Sequence, residues 1–155
     1  MIYKEEVRDL FSVPDDYWFA QCISADFGMG KGIAVEFNKR YDMKNEVISF
    51  YLENSIDGSR DLTNAWDFAR NQGFCLWVNR VFNLVTKRNY WSKPTYETLE
   101  NSLRIMKQSV VQSPVKKIAM PQIGCGLDKL KWEKVSKIIQ DVFKDTDIEI
   151  LVCRQ

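Results

Sequence analysis

The run Ser24-Ala25-Asp26-Phe27-Gly28-Met29-Gly30-Lys31-Gly32-Ile33-Ala34 leads from an apolar, strand-like segment (residues 18–23) through three alternating glycines into a helix-like one. Far downstream, Met120-Pro121-Gln122-Ile123-Gly124-Cys125-Gly126-Leu127-Asp128 follows another apolar segment (residues 117–120) and again precedes helical periodicity. Gly28, Gly30, Gly32, Gly124 and Gly126 make up five of the chain's seven glycines. Glycine permits positive φ and lets a backbone approach a bound group with no Cβ in between. Backbone N–H groups at such turns, together with the positive end of a following helix, suit an anion. Two loops of this kind suit one phosphate-bearing molecule gripped from opposite sides.

The first loop is not a standard nucleotide motif. Lys31 is followed by Gly32 rather than Ser or Thr, so the first is no Walker A loop, and its GxGxG spacing is not GxGxxG. On spacing alone, a structural turn and a phosphate cradle are both open. Two clusters in equivalent strand–loop–helix positions favour the cradle.

Around these loops, segments at residues 2–7, 18–23, 74–78, 81–86, 117–120 and 149–153 are strand candidates, and Asn79-Arg80 predicts a two-residue hairpin connection. Tyr96, Leu99, Leu103, Met106 and Val110 step by three and four residues and predict a helix, entered at Pro94-Thr95 with an acidic first turn from Glu97 and Glu100. Trp132, Val135, Ile138, Ile139, Val142 and Phe143 predict the last helix. Ala34, Phe37 and Tyr41 predict a shorter one after the first glycine cluster, with Val47, Phe50 and Tyr51 continuing helically. This order predicts one three-layer α/β/α domain over residues 1–155, with a central mixed sheet covered on both faces. Residues 55–72 have weak periodicity and read as a loop or insertion carrying one helical turn around Trp66.

A chain of 155 residues, 45% hydrophobic and 28% charged, is expected to form one ordinary globular domain. The net charge of +1 supplies no basic field, so direct nucleic-acid binding is not expected. The chain has no apolar run of membrane length, and Met1-Ile2-Tyr3-Lys4-Glu5-Glu6 lacks a signal peptide's apolar core. An intracellular monomer, cytoplasmic or nuclear, with no membrane partner is the expectation. Cys22, Cys75, Cys125 and Cys153 form no CxxC, which points to reduced thiols rather than a zinc site or a disulfide framework. The chain contains no histidine, which excludes Ser-His-Asp and Cys-His catalysis and the common zinc enzymes within it. No metal and no cofactor are expected. Any chemistry runs on Lys, Asp, Glu, Tyr, Cys or the backbone.

Beyond their spacing, both loops closely resemble the two ligand loops of a macrodomain. More narrowly, they resemble the terminal ADP-ribose protein glycohydrolase branch, also described as O-acetyl-ADP-ribose deacetylase-like macrodomains. Leu84-Val85-Thr86-Lys87-Arg88 and Lys93-Pro94-Thr95-Tyr96-Glu97 resemble that branch too. The likeness runs from Asp9-Leu10-Phe11 to Thr146-Asp147-Ile148 and leaves out only residues 55–72.

The resemblance implies a macrodomain fold with a pocket for ADP-ribose. Asp9, with Leu10 beside it, matches the aspartate that accepts from the adenine amino group, a sensible task for a carboxylate. Met29, Gly30, Gly32, Ile33 and Ala34 of the first loop, with Gln122, Ile123, Gly124, Cys125, Gly126 and Leu127 of the second, wrap the pyrophosphate and distal ribose. Backbone amides do most of that binding. Ser24 stands where many macrodomains carry a ligand-contacting asparagine and this branch carries serine.

The same resemblance implies that Lys87 attacks C1″ of the distal ribose after its ring opens, and that Asp128 helps release the covalent adduct. A lysine is a poor nucleophile while protonated, so it needs partial desolvation or a nearby base. The implied activity is hydrolysis of the bond between ADP-ribose and acidic side chains of mono-ADP-ribosylated proteins, with deacetylation of O-acetyl-ADP-ribose beside it. ADP-ribose and ADP-ribosylated proteins are the implied partners. A non-catalytic ADP-ribose reader and an ADP-ribose 1″-phosphate phosphatase are the competing readings.

Taken as bare residues, the same positions have plainer explanations. Asp9 suits a turn or helix cap, Lys87 a solvated charge at a strand end, Asp128 the opening of the last helix, and Ser24 the end of a strand. Cys125 reads better as a small loop residue than as a nucleophile, since no histidine exists to activate it. Two features depart from the family pattern. Cys153 stands where an aromatic residue usually packs by the adenine, leaving that stacking weaker or to Phe11 or another residue. Arg88-Asn89-Tyr90-Trp91-Ser92 is unusually aromatic. There Tyr90 and Trp91 suit a lid over the distal ribose or a contact with the modified protein, and Trp91 equally suits a core-edge anchor. Trp18, Trp66, Trp77 and Trp132 are expected in the core.

Overall fold

The computed structural model describes residues 1–54, 63–68 and 70–155. Its six strands are β1 (Ile2–Val7), β2 (Trp18–Ser24), β3 (Phe74–Val78), β4 (Val81–Lys87), β5 (Lys117–Met120) and β6 (Glu149–Arg154). They form one sheet in the order β1-β6-β5-β2-β4-β3. Strands β1, β6, β5, β2 and β4 run parallel, and β3 closes the edge antiparallel to β4. Every predicted strand forms. The predicted hairpin also forms, with Val78 paired to Val81 and Asn79 at φ 54, a left-handed value that asparagine tolerates.

Among the described residues, five helices cover the sheet: α1 (Ile33–Tyr41), α2 (Met43–Asn54), α3 (Thr63–Phe68), α4 (Tyr96–Val111) and α5 (Trp132–Phe143). Alternation along the strands divides the core in two. Phe19, Ile23 and Val85 pack on one face with Phe37 of α1 and Met43 and Val47 of α2. Ala20, Phe82 and Leu84 pack on the other with Leu99, Leu103 and Met106 of α4 and Val135 and Ile139 of α5. A largely parallel sheet buried on both faces is the expected three-layer arrangement.

Three local details differ from the periodicity. The helix expected to continue through residue 51 breaks at Asp42, which takes a left-handed φ of 50 and separates α1 from α2. An apolar stripe cannot report such a break, because Val47 still lands on the buried side. At α4 a reciprocal capping box between Thr95 and Thr98 leads the helix; of the two glutamates only Glu97 lies in its first turn, and Glu100 pairs with Arg104 at 2.9 Å instead. The helical turn expected around Trp66 is α3, with Trp66 buried and its ring 6.4 Å from Phe74. The remainder of that predicted loop, residues 55–62 and 69, lies outside the described residues. Trp18, Trp77 and Trp132 are half-buried against the core, as expected.

Because five strands are parallel, their C-terminal ends share one edge of the sheet. Along it stand Asp9 after β1, Cys153 near the end of β6, residues 121–128 after β5, residues 24–32 after β2, and Lys87 at the end of β4. Four strand spacings of about 4.8 Å make this row about 19 Å long. The chain leaves β2 for α1 on one face and β5 for α5 on the other. Adjacent strands that diverge in this way open a crevice between their exits.

Candidate active site

Lys87 and Asp128 meet in this crevice. The Lys87 Nζ donates to Asp128 Oδ1 at 2.7 Å, and each side chain is only 14% exposed. Strand β4 ends at Lys87 and fixes its backbone. Asp128 closes a single 3-10 turn, Gly126–Asp128, bounded by left-handed Gly124 (φ 74), Gly126 (φ 68) and Lys129 (φ 63). Helix α5 starts only at Trp132, with Lys131 as its cap, so Asp128 does not open the last helix.

The first loop is tied to β4 and to the turn beyond it. After a bulge between Ile23 and Ser24, Ser24 pairs with Lys87, and Ala25 N donates to Lys87 O at 3.0 Å. Asp26, absent from the predicted site residues, makes three bonds. Its Oδ1 accepts from Ser24 Oγ at 2.5 Å and from Gly28 N at 3.1 Å, and its Oδ2 accepts from Tyr90 N at 3.0 Å. The short-range part was legible, since an aspartate just before a glycine favours this self-bonded turn. The Tyr90 bond spans 64 residues and leaves no local signal.

The glycines serve different purposes. Gly32 takes φ 65 and starts α1. Gly28 does not need positive φ; a Cβ there would stand 2.7 Å from the Tyr90 Cβ, so its role is to let two loops touch. Leu127 Cδ1 lies 3.8 Å from where a Gly32 Cβ would be, and Lys93 Nζ donates to Leu127 O at 2.7 Å. Three segments (residues 26–32, 88–93 and 124–128) therefore contact one another pairwise and form a collar around Lys87 and Asp128.

The other predicted ligand residues separate into two groups. Gly30, Gly32, Gly126 and Leu127 are exposed along the crevice, and Ile33, Gln122 and Cys125 are partly so. Leu10, Met29, Ala34 and Ile123 instead point their side chains into the core, leaving their backbone for any ligand. Ser24 is buried, with its hydroxyl committed to Asp26. Asp9 uses Oδ1 to accept from Phe11 N at 3.0 Å, capping the turn Leu10–Ser12. Cys153 is buried. The Arg40 guanidinium lies 4.3 Å over the Phe11 ring, whose edge meets Phe37 at 5.0 Å, so Phe11 already has ring partners at the Asp9 end.

Burial pushes the Cys22 thiol up to about 12, aided by the Asp128 carboxylate. Burial, then Asp128, also raises Cys125. Thiols shifted in this direction are poor nucleophiles. Among the described residues, no group of three or more His, Cys, Asp or Glu side chains could hold a metal ion, and no helix is long and apolar enough to cross a membrane. Tyr90 and Trp91 are 61% and 66% exposed and meet edge to face at 5.0 Å. Trp91 is therefore no core-edge anchor.

A crevice over the C-terminal edge of this sheet, flanked by two glycine loops, defines the class of protein. The Macro domain model matches residues 24–139, and the chain belongs to the macrodomain family. ADP-ribose glycohydrolase OARD1 of Homo sapiens is 39% identical over 144 residues, covering 93% of this chain and 86% of that relative. The DNA ADP-ribosyl glycohydrolase of Thermus aquaticus is 24% identical over 116 residues, 75% of this chain and 31% of that one. Among solved structures, the macrodomain of Thermus aquaticus DarG matches with a TM-score of 0.75 at 20% identity, over 99% of both chains. Thermosipho africanus DarTG in complex with ADP-ribose matches with a TM-score of 0.63 at 19% identity, over 94% of this chain and 39% of that one.

Proposed function

We propose that this protein is an ADP-ribose hydrolase that removes ADP-ribose from glutamate or aspartate side chains of mono-ADP-ribosylated proteins. O-Acetyl-ADP-ribose, with its similar ester, is a second substrate. The observation that carries the reading is the Lys87–Asp128 pair, held at 2.7 Å and largely out of water between two glycine loops. A module that only binds ADP-ribose needs the loops but gains nothing from such a pair. The relative named ADP-ribose glycohydrolase, matched over most of both chains, supports the same assignment.

The row of strand ends suits a long ligand with a nucleobase at one end and a sugar at the other. The adenine lies towards Asp9, whose Oδ2 accepts from the amino group while Oδ1 caps its turn. The pyrophosphate lies between residues 28–34 and 122–127, where backbone N–H groups neutralise it. This explains how a chain of net charge +1 binds a dianion. The distal ribose then reaches Lys87.

In the reaction, Asp128 draws a proton from the Lys87 ammonium and passes it to the ring oxygen as the C1″–O4″ bond breaks, and the neutral amine bonds to C1″. The C1″–oxygen bond to the carboxyl group breaks, so the protein's carboxylate leaves with the electron pair. The proton lost by nitrogen passes to Asp128. Water then adds at C1″, Asp128 returns its proton to the nitrogen as the carbon–nitrogen bond breaks, and the O4″ hydroxyl recloses the ring; of the two protons shed by water, one restores the lysine ammonium and one leaves to solvent. Free ADP-ribose departs and Lys87 is regenerated.

The test is release of labelled ADP-ribose from a glutamate-linked substrate by wild type, Lys87→Ala and Asp128→Ala. Wild-type release that is lost in both variants is expected, with an enzyme–ADP-ribose adduct persisting in Asp128→Ala by mass spectrometry. ADP-ribose binding with no release by wild type identifies a reader instead. Phosphate release from ADP-ribose 1″-phosphate without ester hydrolysis identifies a phosphatase.

A further inference from the structure

The site has a feature that ADP-ribose itself does not require. Tyr90 and Trp91 stand in the turn directly after Lys87, both more than half exposed, while the other four tryptophans pack against the core. Two large aromatic rings side by side in water mark a contact surface rather than a packing accident. The turn is also held firmly. Asp26 Oδ2 accepts from Tyr90 N, the Tyr90 Cβ rests on Gly28, and Ser92 N bonds back to Asn89 O at 3.0 Å. Rings presented on a fixed backbone lose little entropy when a partner covers them. At 89° and 5.0 Å the pair forms an open corner with two apolar walls.

Resting on the hydrolase reading above, we infer that Tyr90 and Trp91 dock the polypeptide that carries ADP-ribose, gripping residues next to the modified carboxylate. Continuity with the site supplies the first argument. Lys87 marks the scissile bond, and what lies beyond that bond, next to the strand end, is the modified macromolecule. Charge supplies the second. A nucleic-acid strand is held mainly by cations on its phosphates. The cations flanking the aromatic pair are engaged elsewhere: Arg88 binds both oxygens of Asp67 at 3.0 and 3.1 Å, and Lys93 binds Leu127 O at 2.7 Å. An aromatic corner flanked by engaged cations fits a peptide better than a phosphate backbone. The pair is then a specificity element, acting on the leaving group and not on ADP-ribose.

Binding tests this without relying on turnover. In a Lys87→Ala background, affinity is measured for free ADP-ribose, for a peptide bearing glutamate-linked ADP-ribose, and for an ADP-ribosylated single-stranded oligonucleotide. The peptide is expected to bind about tenfold more tightly than free ADP-ribose, and Tyr90→Ala/Trp91→Ala to remove that excess while changing free ADP-ribose affinity less than about twofold. Both substitutions shorten exposed side chains and leave the Tyr90 N–Asp26 bond in place, so retained ADP-ribose binding also reports the fold. Equal affinity for peptide and free ADP-ribose overturns the inference. So does an excess that survives the double substitution, or an equal loss for both ligands, which makes the pair a ribose lid. A tight excess confined to the oligonucleotide assigns the corner to nucleic acid. If the parent protein with Lys87 intact releases nothing while the peptide excess is present and aromatic-dependent, the hydrolase reading fails and the docking pair stands.

Discussion

The Tyr90 Cβ lies 2.7 Å from the point where a Cβ on Gly28 would be. No real Cβ tolerates that distance. The neighbour is the first atom of a side chain, fixed to its backbone, so it cannot swing away. Gly28→Ala therefore moves either the glycine loop or the turn after Lys87. The expected cost is about 1–3 kcal/mol in urea unfolding, typical of overpacking. Ester hydrolysis is expected to fall further, by about a hundredfold, because misplacing a reacting group by about an ångström has that effect. Gly126→Ala is the contrast. Its added Cβ meets no atom within 4 Å, so only the strain of φ +68 remains, about 1–2 kcal/mol.

Asp26→Asn separates the two halves of the same link. An asparagine Oδ1 still accepts from Ser24 Oγ and Gly28 N, but its Nδ2 would face the Tyr90 N–H, donor against donor. Losing that bond and leaving its donor unmet costs about 1–3 kcal/mol. Hydrogen exchange at the Tyr90 amide reads the change directly. Protection is expected to drop there and to persist at Gly28. Unchanged protection at Tyr90 means that Asp26 does not hold the turn.

The Lys87–Asp128 pair predicts a stability coupling distinct from its chemistry. Removing either partner alone strands the other in a position that is only 14% exposed. Removing both strands neither. Lys87→Ala/Asp128→Ala is expected to be more stable than the sum of the single losses implies, by about 0.5–3 kcal/mol in a double-mutant cycle. Strict additivity means the two groups do not interact in solution.

These links show where the sequence was informative. Strands β2 to β6 are legible because each is a short, mostly apolar segment, whereas β1, with Lys4, Glu5 and Glu6 and mostly exposed, is less so; α4 and α5 are legible because their apolar stripes persist for three turns or more. Lys87 and Asp128 were found through the resemblance of their motifs, since a lysine at a strand end and an aspartate after a glycine turn look ordinary alone. What remained hidden is non-local. Gly28 looks like an anion-loop glycine, yet its constraint comes from Tyr90, and Asp26 owes its importance to the same distant turn. Leu10, Met29 and Ile123 sit in ligand-loop motifs, but their apolar side chains follow the core. A motif specifies that a backbone passes the ligand; it does not say which way each side chain turns.

The partly buried thiols of Cys22 and Cys75 and the buried thiol of Cys153 predict how stability responds to alkali. Burial, reinforced by the Asp128 carboxylate, lifts Cys22 from about 9 to about 12, and burial lifts Cys153 to about 11. Burial also raises Cys75. The folded protein thus keeps thiol protons that the unfolded chain, with ordinary thiols near 9.0, gives up. Below that pH both states hold them and stability is unaffected. As pH climbs above it, the unfolded state binds fewer protons, and stability falls by up to about 1.4 kcal/mol per pH unit for each protected thiol. The decline from Cys22 continues until pH passes its folded value. Burial and a neighbouring glutamate also raise Tyr3 and Tyr17, whose contribution begins near their ordinary value of 10.0, so the range from 9 to 10 isolates the cysteines best. Urea midpoints at pH 7.5, 9 and 10 are expected to drop steadily in the last interval, and Cys22→Ala is expected to flatten that drop. A wild-type profile level to pH 10, or an unchanged slope in Cys22→Ala, shows that the thiol beneath Asp128 titrates as freely as one in water.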